Sequence, residues 1–350
     1  MAGKTIKLEF SPVGDGARLG RDISALAIAG RTLFCASDET ASIEQLVLDP
    51  LSGTFAAHRS ILLTDYFTLP AGGDEIDIEG MAVHQGRLWI TGSHSLKRRK
   101  LGTGDSSSKL GRLKWDPNRS FIGYLPLSEE KDGIVSPVPS SQTTITSRPR
   151  MMKVGAEGQK GLRWLFSDCV LFQPFMNVPA KENGFDVEGL AVVGDRVVLG
   201  LRGPVLGRHA FLVSLQFKET GEHFLKPKRL DGSKYRLHAL DIGGFGIRDL
   251  LVVGDELLIL AGPTQAIEGL AKIYAVRGLS PADDVIPKER LRHIATLPMR
   301  DECDHAEGLA HLTDDGAEYL VVAHDNPAPE RLNERAHTLL LDLIPWQRSR

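Results

Sequence analysis

A hairpin-forming segment that recurs along the chain limits its fold more than any other feature. Five stretches carry it: DISALAIAGRTLFCASDE (22–39), DIEGMAVHQGRLWITGSHS (77–95), DVEGLAVVGDRVVLGLRGP (186–204), GIRDLLVVGDELLILAGPT (246–264) and HAEGLAHLTDDGAEYLVVAHDN (305–326). Each reads as an apolar strand, a turn containing Gly or Asp-Gly, and a second apolar strand. Aligning the third position of each copy gives Ser24, Glu79, Glu188, Arg248 and Glu307, separated by 55, 109, 60 and 59 residues. Three of these intervals suit one four-stranded unit, and 109 is close to two. Self-similarity of this kind, with strands and glycine-rich turns, points to blades around a central channel.

The expected fold is therefore all-β: a β-propeller of five or six four-stranded blades, forming a single domain across residues 1–350. Third strands are legible at HAFLVSLQF (209–217) and KIYAVRGL (272–279). The last run, TLLLDLI (338–344), is expected to share a blade with the first strand, TIKLEF (5–10), and so close the ring. The interval 93–185 is irregular. LGRLKW and SFIGYLPL read as strands, SPVPSSQTT (136–144) as a loop, and GLRWLFSDCVLFQPFM (161–176) has helical apolar spacing at Leu162, Leu165, Phe166, Cys169, Leu171 and Phe172. Either a sixth blade has lost its motif here, or one blade carries a long, partly helical insertion.

Composition narrows the function classes. With 42 basic and 45 acidic side chains the net charge is −3, which provides no basic stripe for nucleic acid. No run of about 18 apolar residues predicts a membrane span, and MAGKTIKLEF lacks a secretory apolar core. The cysteines Cys35, Cys169 and Cys303 are far apart and form no CxxC pair. A reducing, cytoplasmic setting is the expectation. GxSxG and GxxxxGK[ST] motifs are absent, which disfavours an α/β-hydrolase and a P-loop.

In a propeller, the starts of the inner strands and the ends of the second strands share one face. The polar residues gathered there are the candidate site. Glu79, Glu188 and Glu307 are expected to project into one mouth, with Asp22, Asp77, Asp186 and Asp304 beside them. Like carboxylates so close require compensation. A divalent cation, the Arg248 guanidinium, or protonation of one carboxylate could each supply it. The second-strand ends add Asp38, His94, Arg202 and Asn326 as substrate-binding candidates. His305 and His324 are general-base candidates at the two ends of the fifth hairpin. A structural reading stands beside this: acidic strand starts can fix turns and bond neighbouring backbone, and Gly in EGLA can serve close packing. The run Lys97-Arg98-Arg99-Lys100 reads as a solvated loop or as a grip on an anion.

These residues carry a resemblance. TGSHSLKRRK (91–100), KENGFDVEGLAV (181–192) and the repeated EGLA resemble a family of uncharacterised bacterial proteins, the domain-of-unknown-function family 3616, over nearly the whole chain. More distantly, D-x-E-G-(L/M)-A is similar to a motif of esterase-like phytase propellers and other calcium-holding propeller hydrolases. That resemblance implies a cation, Ca2+ or another divalent ion, at the top of the channel, and hydrolysis of a phosphate ester or lactone. Glu79, Glu188 and Glu307 match the glutamate of that motif, while Ser24 and Arg248 depart from it.

The functional expectation is a divalent-metal-dependent hydrolase of a small anionic, phosphate-ester or lactone-like substrate. Glu79, Glu188 and Glu307 would hold the cation, Arg248 and Arg202 would orient an anion, and His305 or His324 would move the proton. The alternative is a non-catalytic propeller that binds a ligand or protein partner at the same face, with Arg248 neutralising the glutamates.

Overall fold

The five copies of the motif form five antiparallel hairpins: Ile23–Ala29 with Thr32–Ser37, Ile78–His84 with Arg87–Gly92, Asp186–Val193 with Arg196–Gly203, Gly246–Val253 with Glu256–Gly262, and His305–Asp314 with Ala317–Asp325. The hairpin turns need a left-handed residue, and glycine supplies it, as at Gly194 (φ 65°) and Gly254 (φ 66°). In this computed structural model the described residues are 4–12, 19–73, 75–98, 102, 104, 106–144, 147–155, 160–230, 232–265, 269–298 and 303–347.

Each hairpin opens a sheet, numbered here I to V in chain order. The first strands of sheets I to V contact one another in sequence, and the fifth contacts the first, so they line a closed channel. Outer strands complete the sheets: Ser42–Asp49 and Thr54–Leu62 in I, His209–Leu215 and Arg236–Asp241 in III, Ala271–Arg277 and Leu291–Leu297 in IV. In sheet V the strand Thr338–Pro345 pairs antiparallel with Lys4–Glu9, with Leu8 opposite Leu339. Lys4–Glu9 also runs parallel to Thr54–Leu62, with Leu8 opposite Phe55, which joins sheet V to sheet I. The two ends of the chain thus close the ring as expected.

The interval between the second and third copies contributes no further inner hairpin among the described residues. It supplies the outer strands Ile122–Glu129 and Arg150–Met152 of sheet II, which Phe224–Pro227 and Phe217–Thr220 extend. The expected helix over 161–176 is reduced to one turn, Leu162–Leu165, followed by turns and a short 3-10 segment, Gln173–Phe175. Its apolar spacing is satisfied by an aromatic cluster instead. Phe166 packs edge-on against Phe172, and both meet Phe185.

Five apolar clusters hold the ring, one between each adjacent pair of sheets. Ile43, Phe34 and Ile90 fill I against II; Trp89, Leu190 and Phe211 fill II against III; Ile247, Ile259 and Val198 fill III against IV. Leu258, Leu309 and Val322 fill IV against V, and Leu8, Leu33 and Leu341 fill V against I. Inner strands are buried on both faces, which is why their sequences run apolar without alternation. Each fully buried Leu, Ile or Phe contributes about 1.5–3 kcal/mol. No helix among the described residues is long and apolar enough to cross a membrane.

Candidate functional site

The third motif position sits at a break in register in every copy. Pairing jumps from Ile23 to Ala25, Ile78 to Gly80, Val187 to Gly189, Ile247 to Asp249 and Ala306 to Gly308. Ser24, Glu79, Glu188, Arg248 and Glu307 are therefore the extra, unpaired residues of five β-bulges. A bulge re-aims a side chain out of the alternating pattern. Here it frees one polar side chain per sheet at the channel.

The residue after each bulge explains the motif's glycine. A Cβ on Gly80 would lie 2.8 Å from the Leu190 amide nitrogen of the next inner strand, and one on Gly189 would lie 3.1 Å from Asp249 Cα. In the fourth copy Asp249 replaces this glycine. Its buried carboxylate accepts from the Leu250 and Leu309 amides, both at 2.7 Å, tying sheet IV to sheet V. Ser24 makes a similar tie, donating to Ile78 O at 2.5 Å. The structural reading of these positions thus holds for Ser24, Asp249 and the glycines.

Arg248 lies between two of the glutamates. Its Nε is 3.0 Å from Glu188 Oε2, and its Nη2 pairs with Glu307 Oε1. Glu188 is also engaged by Arg202, whose Nη1 donates to Glu188 Oε1 at 2.6 Å. Arg202 Nε donates to Thr264 O at 3.1 Å, and Asp186 lies 4.0 Å from Nη1. The expected cage of Glu79, Glu188 and Glu307 around one cation does not form in this structure. Two of its three members are ion-paired to arginine, because both face the one inner strand that carries a guanidinium.

Glu79 gathers instead with Asp38 and Asp77. One oxygen from each lies within 4.8 Å of the other two, so this triad could hold a metal ion. Burial, together with Asp77 and Asp325, raises the Asp38 carboxyl to about 7. Burial, with Glu188 and Asp77 beside it, holds Glu79 well above the usual carboxylate range. Asp186 is pushed up to about 8 by burial and by Glu188. The mouth thus carries more negative charge than its arginines offset, and it favours a proton or a cation.

The interval 93–185 supplies cations that motif reasoning missed. Buried Arg119 pairs with Asp77 through Nη2 and donates to Ser95 Oγ at 2.9 Å through Nη1. Lys97 Nζ is 2.7 Å from Glu75 and 3.6 Å from Asp77. Arg98 reaches Glu182 with Nη2 at 2.7 Å. This half of the basic run is an ion-paired strap at the rim rather than a free solvated loop, while Arg99 and Lys100 lie outside the described residues. Arg163, from the single helical turn, faces Asp186 and bonds the His94 carbonyl at 3.2 Å.

The remaining candidates separate. His305 Nδ1 lies 4.0 Å from Asp325 at the half-exposed rim. Asp325 feels Arg248 and so belongs to the mouth. His324 points the other way: its Nε2 meets Asp342 at 3.0 Å in a buried network with Arg331 and Asp304. Strand alternation explains this, since only one of two successive residues can face the channel. His94 is fully buried beside Thr91, and burial lowers it to about 3, so its ring stays neutral. Asn326 lines a neighbouring cavity of about 670 Å³ with Arg21 and Cys303.

A family model described as "Protein of unknown function (DUF3616)" matches residues 22–342. Among curated proteins, none matches the chain in sequence. Similar solved structures include glutaminyl cyclase of Myxococcus xanthus, 9% identical, with 98% of this chain and 100% of that chain covered and a TM-score of 0.40. The GH43 protein BlXynB of Bacillus licheniformis is 12% identical, covering 97% and 55%, with a TM-score of 0.43. The β-propeller domain of Cps50 (Swd1) from Myceliophteria thermophila is 11% identical, covering 93% and 86%, with a TM-score of 0.32. At such identities and scores these likenesses say nothing of activity.

Proposed function

The chain belongs to the DUF3616 family, whose description carries no activity, and from the mouth's own chemistry we propose that it is a divalent-metal-dependent hydrolase of a small anionic ester, a phosphate ester or lactone. The observation that carries this reading is the Asp38–Asp77–Glu79 triad, three carboxylates with one oxygen each within 4.8 Å of the others, of which Asp77 also pairs with Arg119. Hard oxygen donors at this spacing suit Ca2+ or a similar ion, with Asp38, Asp77 and Glu79 as the residues that would hold it. Such an ion, when bound, polarises an ester or phosphoryl oxygen and makes water more acidic. Asp186, holding its proton near neutral pH, donates it to the leaving oxygen. His305, beside Asp325, accepts a proton at the rim. Arg202, which donates to Glu188 Oε1 at 2.6 Å, orients the substrate's anionic group. The protein would act in the cytoplasm on a small molecule, with neither nucleic acid nor a membrane as partner.

The Arg248 clasp on Glu188 and Glu307 favours a second reading, a non-catalytic propeller whose mouth binds a ligand or protein partner. A panel of phosphate esters and lactones, assayed with calcium, magnesium or manganese and again after chelation, separates the two. Turnover that disappears with Asp38→Asn and with chelator supports the hydrolase. A panel without turnover, under conditions where the metal demonstrably binds, transfers the mouth to the binding reading.

A further inference from the structure

A second cavity lies away from the mouth, on the outer rim of sheet II. It encloses about 380 Å³, within the range of small-molecule sites. Its walls come from Met152 at the end of Arg150–Met152 with Lys153 after it, Lys160 and the helical turn Leu162–Leu165, the hairpin Phe217–Thr220 with Phe224–Pro227, and Lys234. Four lysines line it, Lys153, Lys160, Lys226 and Lys234, and no carboxylate among the described residues does. A local charge of this sign is not inherited from the chain, whose net charge is −3.

The nearest carboxylates of the hairpin are spent on arginines. Glu219 lies 3.0 Å from Arg87 and 3.1 Å from Arg150, and Glu222 lies 2.7 Å from Arg148. None of the four lysines has an ion pair among the described residues. Two rest on aromatic faces, Lys153 at 5.2 Å from the Phe224 ring centre and Lys234 at 5.8 Å from that of Trp164. Trp164 itself is 54% exposed, an unusual state for the largest apolar side chain, and it forms one wall. A flat apolar wall beside four ammonium groups that lack an ion pair among the described residues selects a ligand with a planar body and an anionic head.

We infer that this cavity binds a nucleoside phosphate, with the base stacked on Trp164 and the phosphates among Lys153, Lys160, Lys226 and Lys234. The cavity shares the turn Leu162–Leu165 with the mouth, but its lining residues are none of those assigned to the mouth, and the inference stands independently of the activity assigned there. Calorimetric titration of the full-length protein with ADP tests it, with adenosine and pyrophosphate as the separate halves. The expected result is saturable ADP binding, with each half at least roughly tenfold weaker. Lys226→Glu with Lys234→Glu, and separately Trp164→Ala, should each lower ADP affinity more than about tenfold at unchanged melting temperature. If the charge-reversed pair does not fold, Lys226→Gln with Lys234→Gln serves in its place. No ADP binding, pyrophosphate binding as tightly as ADP, or binding that survives both variants would each overturn the inference.

Discussion

Arg248 Nε lies 3.0 Å from Glu188 Oε2 across the boundary between sheets III and IV, and both residues stand on β-bulges. The same guanidinium reaches Glu307 of sheet V. Arg248 therefore links three of the five inner strands at the level where the channel opens. Removing it would leave Glu307 without its partner and Glu188 with Arg202 alone. Arg248→Met is expected to destabilise the fold by about 3–5 kcal/mol, the usual cost of leaving a buried charge unpaired. Adding Glu307→Gln to it should recover part of that loss. Urea unfolding of the two variants and the wild type checks this, and equal stability of Arg248→Met and wild type would contradict it.

The motif glycines predict a steric rather than a chemical effect. Gly80 has no room for a methyl group against the Leu190 amide, 2.8 Å from where its Cβ would sit. Gly80→Ala should push the inner strands of sheets II and III apart and lower stability by about 1–3 kcal/mol. By contrast, Gly53 has open space around it but a left-handed φ of 63°. Gly53→Asn, which tolerates that conformation, is expected to cost less than half as much. Thermal unfolding of both proteins distinguishes a packing demand from a turn demand.

The ring was legible in the sequence because hairpins repeat and their third positions align; all five of those positions are bulged channel residues. Arg248 was legible as the residue that breaks the pattern. What could not be read was which neighbour each side chain would choose. Glu79 turned to Asp38 and Asp77 because Arg248 faces the other two glutamates. Arg119 and Arg163 were invisible because they come from the interval without a repeat, where no register assigns a residue to the mouth. His324 and Asp325 are adjacent, and without the strand's phase nothing in the sequence says which of the two faces inward. The apolar spacing over 161–176 matched a helix, yet Phe166 and Phe172 satisfy it by stacking edge-on in a series of turns.

The triad predicts a cation-dependent stability. Calcium that binds the folded chain at 100 times its dissociation constant should add about 2.7 kcal/mol, a rise of a few degrees in melting temperature. Asp38→Asn and Glu79→Gln should each abolish most of that rise, while Glu307→Gln, whose carboxylate is held by Arg248, should reduce it much less. Melting curves at matched ionic strength, with magnesium and sodium as controls, provide the measurement. A rise that is equal in all three variants would place the ion elsewhere.

Asp186 predicts how stability depends on pH. Burial and the neighbouring Glu188 raise its carboxyl to about 8, against an ordinary value of 3.8. Between these values the folded chain binds more protons at this position than the unfolded chain does. Stability therefore falls as pH rises through that window, and the contribution that is complete below the unfolded value is lost above about 8. Asp186→Asn removes the titrating group while keeping a side chain of nearly the same shape. Relative to the wild type, the variant should gain about 1–3 kcal/mol between pH 5 and pH 9, because only the wild type must ionise a buried acid. Urea unfolding at the two pH values measures this difference directly. A difference between the proteins that stays constant across the window would mean that Asp186 is already ionised at pH 5, and it would withdraw this residue as the proton donor.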